Sequence, residues 1–270
     1  MKLKIQNYSQ EHILYLRKIK VHRLIVHLIQ IFLFVFFLCA WEICSYYRYI
    51  DSFIFSSPSR IIQTTCTLFQ DGKLFFHINI TLSETLISFA LVTLISLLMA
   101  MLLWMFPFLY EILDPFLVIL NSLPKSALAP LFIVWLGNNQ KTIIIAAISI
   151  SIFGSIITLY QNFINIDPDK VRLIYTLGGT RLDVFLRVLL PGSIFNILSL
   201  MKVNIGLSLV GVIIGEFLAA KAGLGYLIIY GSQIFRLDYV LMSIVILCFL
   251  AILMYGFIRI IEKILFKLTH

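Results

Sequence analysis

Residues 78–104 read INITLSETLISFALVTLISLLMAMLLW, 27 residues with a single ionisable side chain, Glu84. An α-helix of about 20 apolar residues crosses the hydrocarbon core of a bilayer, so this stretch is long enough to span one. Similar runs occupy 24–46, 116–136, 142–160, 194–218 and 239–261, giving six candidate spans. The chain of 270 residues is 61% hydrophobic and only 13% charged. A soluble domain carries about 25% charged residues, and a disordered chain is poor in apolar ones. Both classes are excluded. The fold expected is an all-α integral membrane protein with six transmembrane helices and an elaborate cytoplasmic loop.

The first run is not a cleaved signal. Its leader, residues 1–23, is long, and Trp41, Glu42 and Ile43 follow Ala40 where small residues would be needed. The layout is a leader (1–23), a first span (24–46) with an external loop (47–77), and a core (78–265) that includes a cytoplasmic loop at 161–193. The net charge is +8. The basic residues flank apolar runs and form no stripe of the kind that binds nucleic acid. With six spans, the leader, the loop between spans four and five and the tail share one side and carry 13 basic residues, against six on the other. The positive-inside rule makes the richer side cytoplasmic, with both termini there. Cys39, Cys44, Cys66 and Cys248 show no metal spacing, and the three in apolar runs read as buried small hydrophobes. Trp41, Trp104, Trp135 and Tyr160 at span ends read as interfacial anchors. The external loop carries its own helix start, with Ser57 as cap and Pro58 in the first helical position.

The cytoplasmic stretch 167–191, DPDKVRLIYTLGGTRLDVFLRVLLP, is the most informative. Asp167-Pro168 starts a helix. Val171, Ile174 and Tyr175 recur at helical spacing, and Gly178-Gly179 ends the helix. Thr180 and Asp183 form a capping box with Asp in place of Glu. Leu182, Phe185, Leu186 and Leu189 make a second apolar stripe that Pro191 closes. Two short amphipathic helices therefore meet at a glycine hinge. Their apolar faces suit either a groove on a partner or the ends of this chain's own spans.

Here the sequence resembles a family. Gly178, nine residues, then Val188-Leu189-Leu190-Pro191 has the spacing of the coupling loop, named for Glu-Ala-Ala, of ATP-binding cassette (ABC) importer permeases. The runs Asn121-Ser122-Leu123-Pro124-Lys125-Ser126-Ala127-Leu128-Ala129-Pro130, Trp135-Leu136-Gly137, Gly215-Glu216-Phe217 and Gly223-Leu224-Gly225-Tyr226-Leu227 look like the nitrate/sulfonate/taurine-type subfamily, and Ser57-Pro58-Ser59 fits as well. The resemblance covers roughly 55–263. It implies a type I permease fold, a second permease subunit, two cytoplasmic ATPase subunits and an external solute-binding protein in a bacterial cell membrane. The solute would be a small sulfonate-, nitrate- or taurine-like anion or a vitamin-related heterocycle. The coupling residues would be Asp169, Arg172, Ile174, Tyr175, Gly178, Gly179, Leu190 and Pro191. One departure stands out: Glu-Ala-Ala falls on Arg172-Leu173-Ile174, so the family's acidic residue is basic here, with Asp169 one turn away. No phosphate-binding Gly-x-x-x-x-Gly-Lys-Ser/Thr loop is present. The chain is therefore expected to be no enzyme and to need no cofactor or metal.

Polar residues inside apolar runs mark a path or a seam. Asn121, Pro124, Lys125 and Pro130 lie in the third run, where the prolines break or kink the helix. Lys202, Asn204, Gly211, Gly215 and Glu216 lie in the fifth, where Gly211 and Gly215 form a close-packing face assigned to the dimer seam. Glu42 and Glu84 sit near outer span ends. An ion-coupled carrier is the alternative, but no inverted repeat with paired broken helices is seen. No Ser/His/Asp set or metal-type cluster points to a membrane enzyme.

Overall fold

The computed structural model describes residues 10–51 and 55–269. Expectations resting on Lys2, Lys4 and His270 lie outside the described residues. The chain divides into two compact units, up to Gln63 and from Thr64.

In the first unit, α1 (Gln10–Tyr46) is one continuous helix, so the described part of the leader is helical. α2 starts at Pro58, as the sequence predicts, and runs Pro58–Gln70. Glu42 holds its start: the carboxylate accepts from the Ser59 backbone N–H at 3.0 Å and from the Ser59 hydroxyl at 2.7 Å. Glu42 thus serves a helix terminus, satisfying a donor that has no partner within the helix.

In the second unit, α3 (Lys73–Met105), α6 (Gln140–Ile164), α10 (Ile194–Ala219) and α12 (Leu237–Thr269) are the long helices. Five helices, α1 among them, are long and apolar enough to cross a membrane. The third span is broken where its prolines predict. It is a bent pair, α4 (Pro107–Ser122) and α5 (Lys125–Leu136), starting nine residues earlier than expected, with 103° between the axes of α4 and residues 127–136. The cause is local. A proline pushes the residue before it out of the helical region, and Leu123, before Pro124, is extended at φ −65°, ψ 142°. Counting the pair as one span gives six.

Small polar residues share the interior of this unit with apolar ones. Thr81, Thr85, Ser88 and Ser96 of α3 are buried, as are Ser151 and Ser155 of α6 and Asn204 and Ser208 of α10. Large apolar side chains such as Leu94, Leu98, Val210 and Phe257 face outward. In lipid there is no hydrophobic force between helices, so small residues that allow close approach take the interfaces. A larger apolar cluster lies at one end, where Leu103 of α3, Leu117 of α4 and Ile156, Leu159 and Phe163 of α6 meet Val184, Phe185 and Leu189. Tyr160 is corrected: it is buried in this cluster, stacked on Tyr110 at 3.8 Å between centroids. The cysteines are corrected too. All four are free, and Cys39 and Cys248, read as buried, are exposed, as is Cys66 of α2.

Candidate functional site

The segment between α6 and α10 forms as its sequence dictates. α7 (Pro168–Thr176) is capped by Asp167, whose Oδ1 accepts from the Asp169 N–H at 3.0 Å. It ends in a Schellman motif: the Gly179 N–H reaches the Ile174 carbonyl at 2.9 Å and the Gly178 N–H the Tyr175 carbonyl at 3.0 Å. Gly178 sits at φ +81°. A Cβ on Gly179 would lie 2.5 Å from Ile174 Cγ2, so both glycines are needed. α8 (Arg181–Val184) opens on a full capping box between Thr180 and Asp183. The Thr180 hydroxyl and backbone N–H donate to Asp183 at 2.6 and 2.9 Å and hold its carboxyl below the usual value, with help from Arg187. The chain continues through a π-turn (Phe185–Leu189) into α9 (Leu190–Gly192). Pro191 therefore does not close the stripe; it lies in the first turn of α9, where a missing N–H costs nothing.

The two apolar stripes have different fates. Val184, Phe185 and Leu189 belong to the chain's own core, and Arg181 donates to the Met105 carbonyl at the end of α3. On α7, Val171 and Ile174 lean on that core, while Leu173 is 58% and Leu177 75% exposed. Arg172 and Asp169 pair at 3.3 Å on the surface. A cleft of about 500 Å³ runs between α7 and the following turns, lined by Lys170, Ile174, Arg187, Val188 and Pro191.

The other end of the bundle holds a polar cluster in which the sequence singled out Glu84, Glu216 and the run 223–227 separately. Glu216 is 1% and Glu84 2% exposed. The two carboxyl groups are neighbours. Glu216 accepts from the Thr81 hydroxyl at 2.6 Å and from the backbone N–H of Gly225. The Thr81 hydroxyl accepts in turn from the Leu224 N–H at 2.8 Å, and His77 Nδ1 from the Gly223 N–H at 3.0 Å. These bonds dock the start of α11 (Leu224–Gln233), a short helix the sequence reading missed. A Cβ on Gly223, at φ +123°, would collide with the Glu216 carboxyl. The signal was Gly-x-Gly ahead of an apolar run, seven residues after a carboxylate.

The remaining candidates are not brought together. Gly211 and Gly215 lie against Ala147 and Ile143 of α6 in the same chain, so their face is used within the subunit and the seam assignment is corrected. Asn204 accepts from Ser155 at 2.8 Å. Lys202 pairs with Glu262 of α12 at 2.6 Å; Glu262 was missed because it lies 60 residues away. Lys125 donates to Asn121 at 3.1 Å across the break before Pro124, and Pro130 lies inside α5.

Apolar helices with small polar interfaces and a capped surface hairpin define a multi-pass membrane protein. Residues 92–267 match the family described as binding-protein-dependent transport system inner membrane component, and the chain belongs to that family, among the permease subunits of ABC importers. Its relatives include the formylaminopyrimidine transport permease ThiX of Halalkalibacterium halodurans, 28% identical over 72% of this chain and 76% of that one. The taurine transport system permease TauC of Escherichia coli is 22% identical over 80% and 81%. Among solved structures, the inward-facing MetNI methionine ABC transporter matches with a TM-score of 0.64 at 17% identity, covering 72% of this chain and 96% of that one; this likeness concerns the fold.

Proposed function

We propose that the chain is the translocating subunit of an importer that works as a pair of copies, with both termini cytoplasmic, driven by ATP hydrolysed on two separate subunits and fed by an external solute-binding protein in a bacterial cell membrane. The observation that carries this reading is the outer face of α7. Leu173, and Leu177 at the C-cap, stand exposed on a helix that is capped at its start, stopped by glycines at its end and fastened to the bundle through Val184, Phe185 and Leu189. A short rigid helix with an uncovered apolar face suits a groove on a partner. The fastening lets a push on the helix reach α3 and α6. Asp169, Arg172 and Tyr175 border that face and would set its polar contacts, and Leu190 and Pro191 would carry the motion on into α10. The solute is small. The names of the relatives include a formylaminopyrimidine and taurine, which support a small anion or heterocycle as the solute. Asn121, Lys125, Lys202 and Asn204 are proposed to border the path or the seam.

The test is co-purification with the cognate ATPase subunit. Leu173→Glu with Leu177→Glu is expected to leave the permease in the membrane at parental levels and to abolish recovery of the ATPase. Full recovery of a functional complex would refute docking at this face.

A further inference from the structure

An apolar groove of about 310 Å³ runs between α10 and α12. Its α10 wall is Lys202, Ile205, Gly206 and Leu209, which share one helix face at helical spacing. Its α12 wall includes Ile252 and Tyr255. Gly206 makes the trough, because a Cβ there would meet nothing within 4 Å. Both helices are long and apolar enough to cross a bilayer, and these residues fall near their middles, so the groove lies at hydrocarbon depth. Gly206, Ile252 and Tyr255 are exposed and leave it open.

One end of the groove is charged. Lys202 pairs with Glu262 of α12 at 2.6 Å, so these two offset each other. The net positive charge comes from further along α12. Ile252, Tyr255, Arg259 and Lys263 recur at spacings of three, four and four, which is one face of a helix. The face that walls the groove therefore turns basic one turn beyond Tyr255. The two helices run antiparallel there, since Phe195 near the start of α10 meets Phe266 near the end of α12 at 5.8 Å. Arg259 and Lys263 thus lie toward the α7 end. Both are exposed, and no carboxylate among the described residues forms an ion pair with either.

We propose that this groove holds an acyl chain of an anionic phospholipid from the leaflet on the α7 side, with the lipid phosphate on Arg259 and Lys263. An apolar trough at membrane depth suits a hydrocarbon chain, because a polar ligand would leave its groups unpaired there. Long basic side chains near the end of a spanning helix reach toward the headgroups, and a phosphate oxygen is a strong acceptor for them. A second copy fits this face less well. A two-fold contact sets the same patch of each copy against the other, which would bring the two basic faces together in a chain of net charge +8. The proposal needs α10 and α12 to span the bilayer and is independent of what the chain transports.

The test titrates phosphatidylglycerol and, separately, phosphatidylcholine into the purified full chain in detergent, and resolves the bound lipids by native mass spectrometry. The parent is expected to hold one phosphatidylglycerol per chain more tightly than it holds phosphatidylcholine. Gly206→Leu fills the trough from a position with open space around it, favours the helix and should remove that adduct. Arg259→Gln and Lys263→Gln should each weaken it about five-fold and leave phosphatidylcholine binding unchanged. Equal affinity of the parent for the two lipids, an adduct that survives Gly206→Leu, or unchanged affinity in both charge variants would overturn the site. So would a parent dimer that holds no lipid and dissociates in Gly206→Leu, which would make the groove a seam between copies.

Discussion

Gly178 and Gly179 divide a single task between them. Gly178 supplies the left-handed conformation, with open space around its missing side chain, whereas Gly179 supplies clearance against Ile174. Gly178→Val therefore meets no clash but must hold φ near +81°, at a cost of about 1 kcal/mol or more. That is small beside the packing of the bundle. The expected outcome is normal membrane abundance with α7 misdirected, so that the ATPase subunit is lost on purification or hydrolyses ATP without transport. Arg172→Glu is the companion variant. It restores the acidic residue of the family's loop and sets it against Asp169, replacing the 3.3 Å pair with a repulsion. Membrane abundance should be unchanged, because both side chains are exposed and such pairs contribute little. Any change in ATPase recovery then reports the partner's charge.

At the scale of helices, the close approach of α10 to α6 turns on two positions that are not equivalent. A Cβ on Gly211 would sit 2.6 Å from the Ala147 Cα, which is backbone, whereas on Gly215 the nearest atom is Ile143 Cγ2 at 2.9 Å. Gly211→Leu should lower the unfolding temperature in detergent more than Gly215→Leu, each by the ~1–3 kcal/mol of overpacking or more. Val210→Leu, on the exposed face, should be neutral. The pair Lys202–Glu262 ties α10 to α12 at 2.6 Å. Lys202→Met alone strands a carboxylate and should cost about 1–3 kcal/mol, and the charge-reversed double variant should recover part of it. These particulars show what a sequence can and cannot yield. Long apolar runs located α3, α6 and α10 within about five residues and the start of α12, whose end lies eight residues further on, and local chemistry such as Thr180 with Asp183 located the turns. The bend at Leu123 was half visible, since Pro124 was noted but the apolar run continued through it. Partners distant in the chain, Glu262 for Lys202 or Glu84 for Glu216, left no local trace, and neither did the choice of α6 as neighbour of the glycine face.

Across the whole molecule, the two ends of the second unit differ in a way that fixes sidedness once a single position is labelled. One end presents α7 with its exposed leucines; the other holds the carboxyl pair. α3 runs between them, from Asp71 and Gly72 just before its first residue to Met105, whose carbonyl meets Arg181. Its 33 residues span about 50 Å, so the ends lie on opposite faces of a bilayer. From the 13-to-6 asymmetry of basic residues we propose that the α7 end is cytoplasmic. Single cysteines at Asp71 and Thr180, both exposed, test this in a background with the four native cysteines replaced, because Cys66 is itself exposed. In intact cells an impermeant maleimide should label position 71 and leave position 180 unmodified until the membrane is opened. Labelling of 180 alone would invert the molecule and put the leucine face out of reach of any cytoplasmic ATPase. Labelling of both in intact cells would mean that α3 does not cross the bilayer, and the helix-spanning reading of the fold would fail with it.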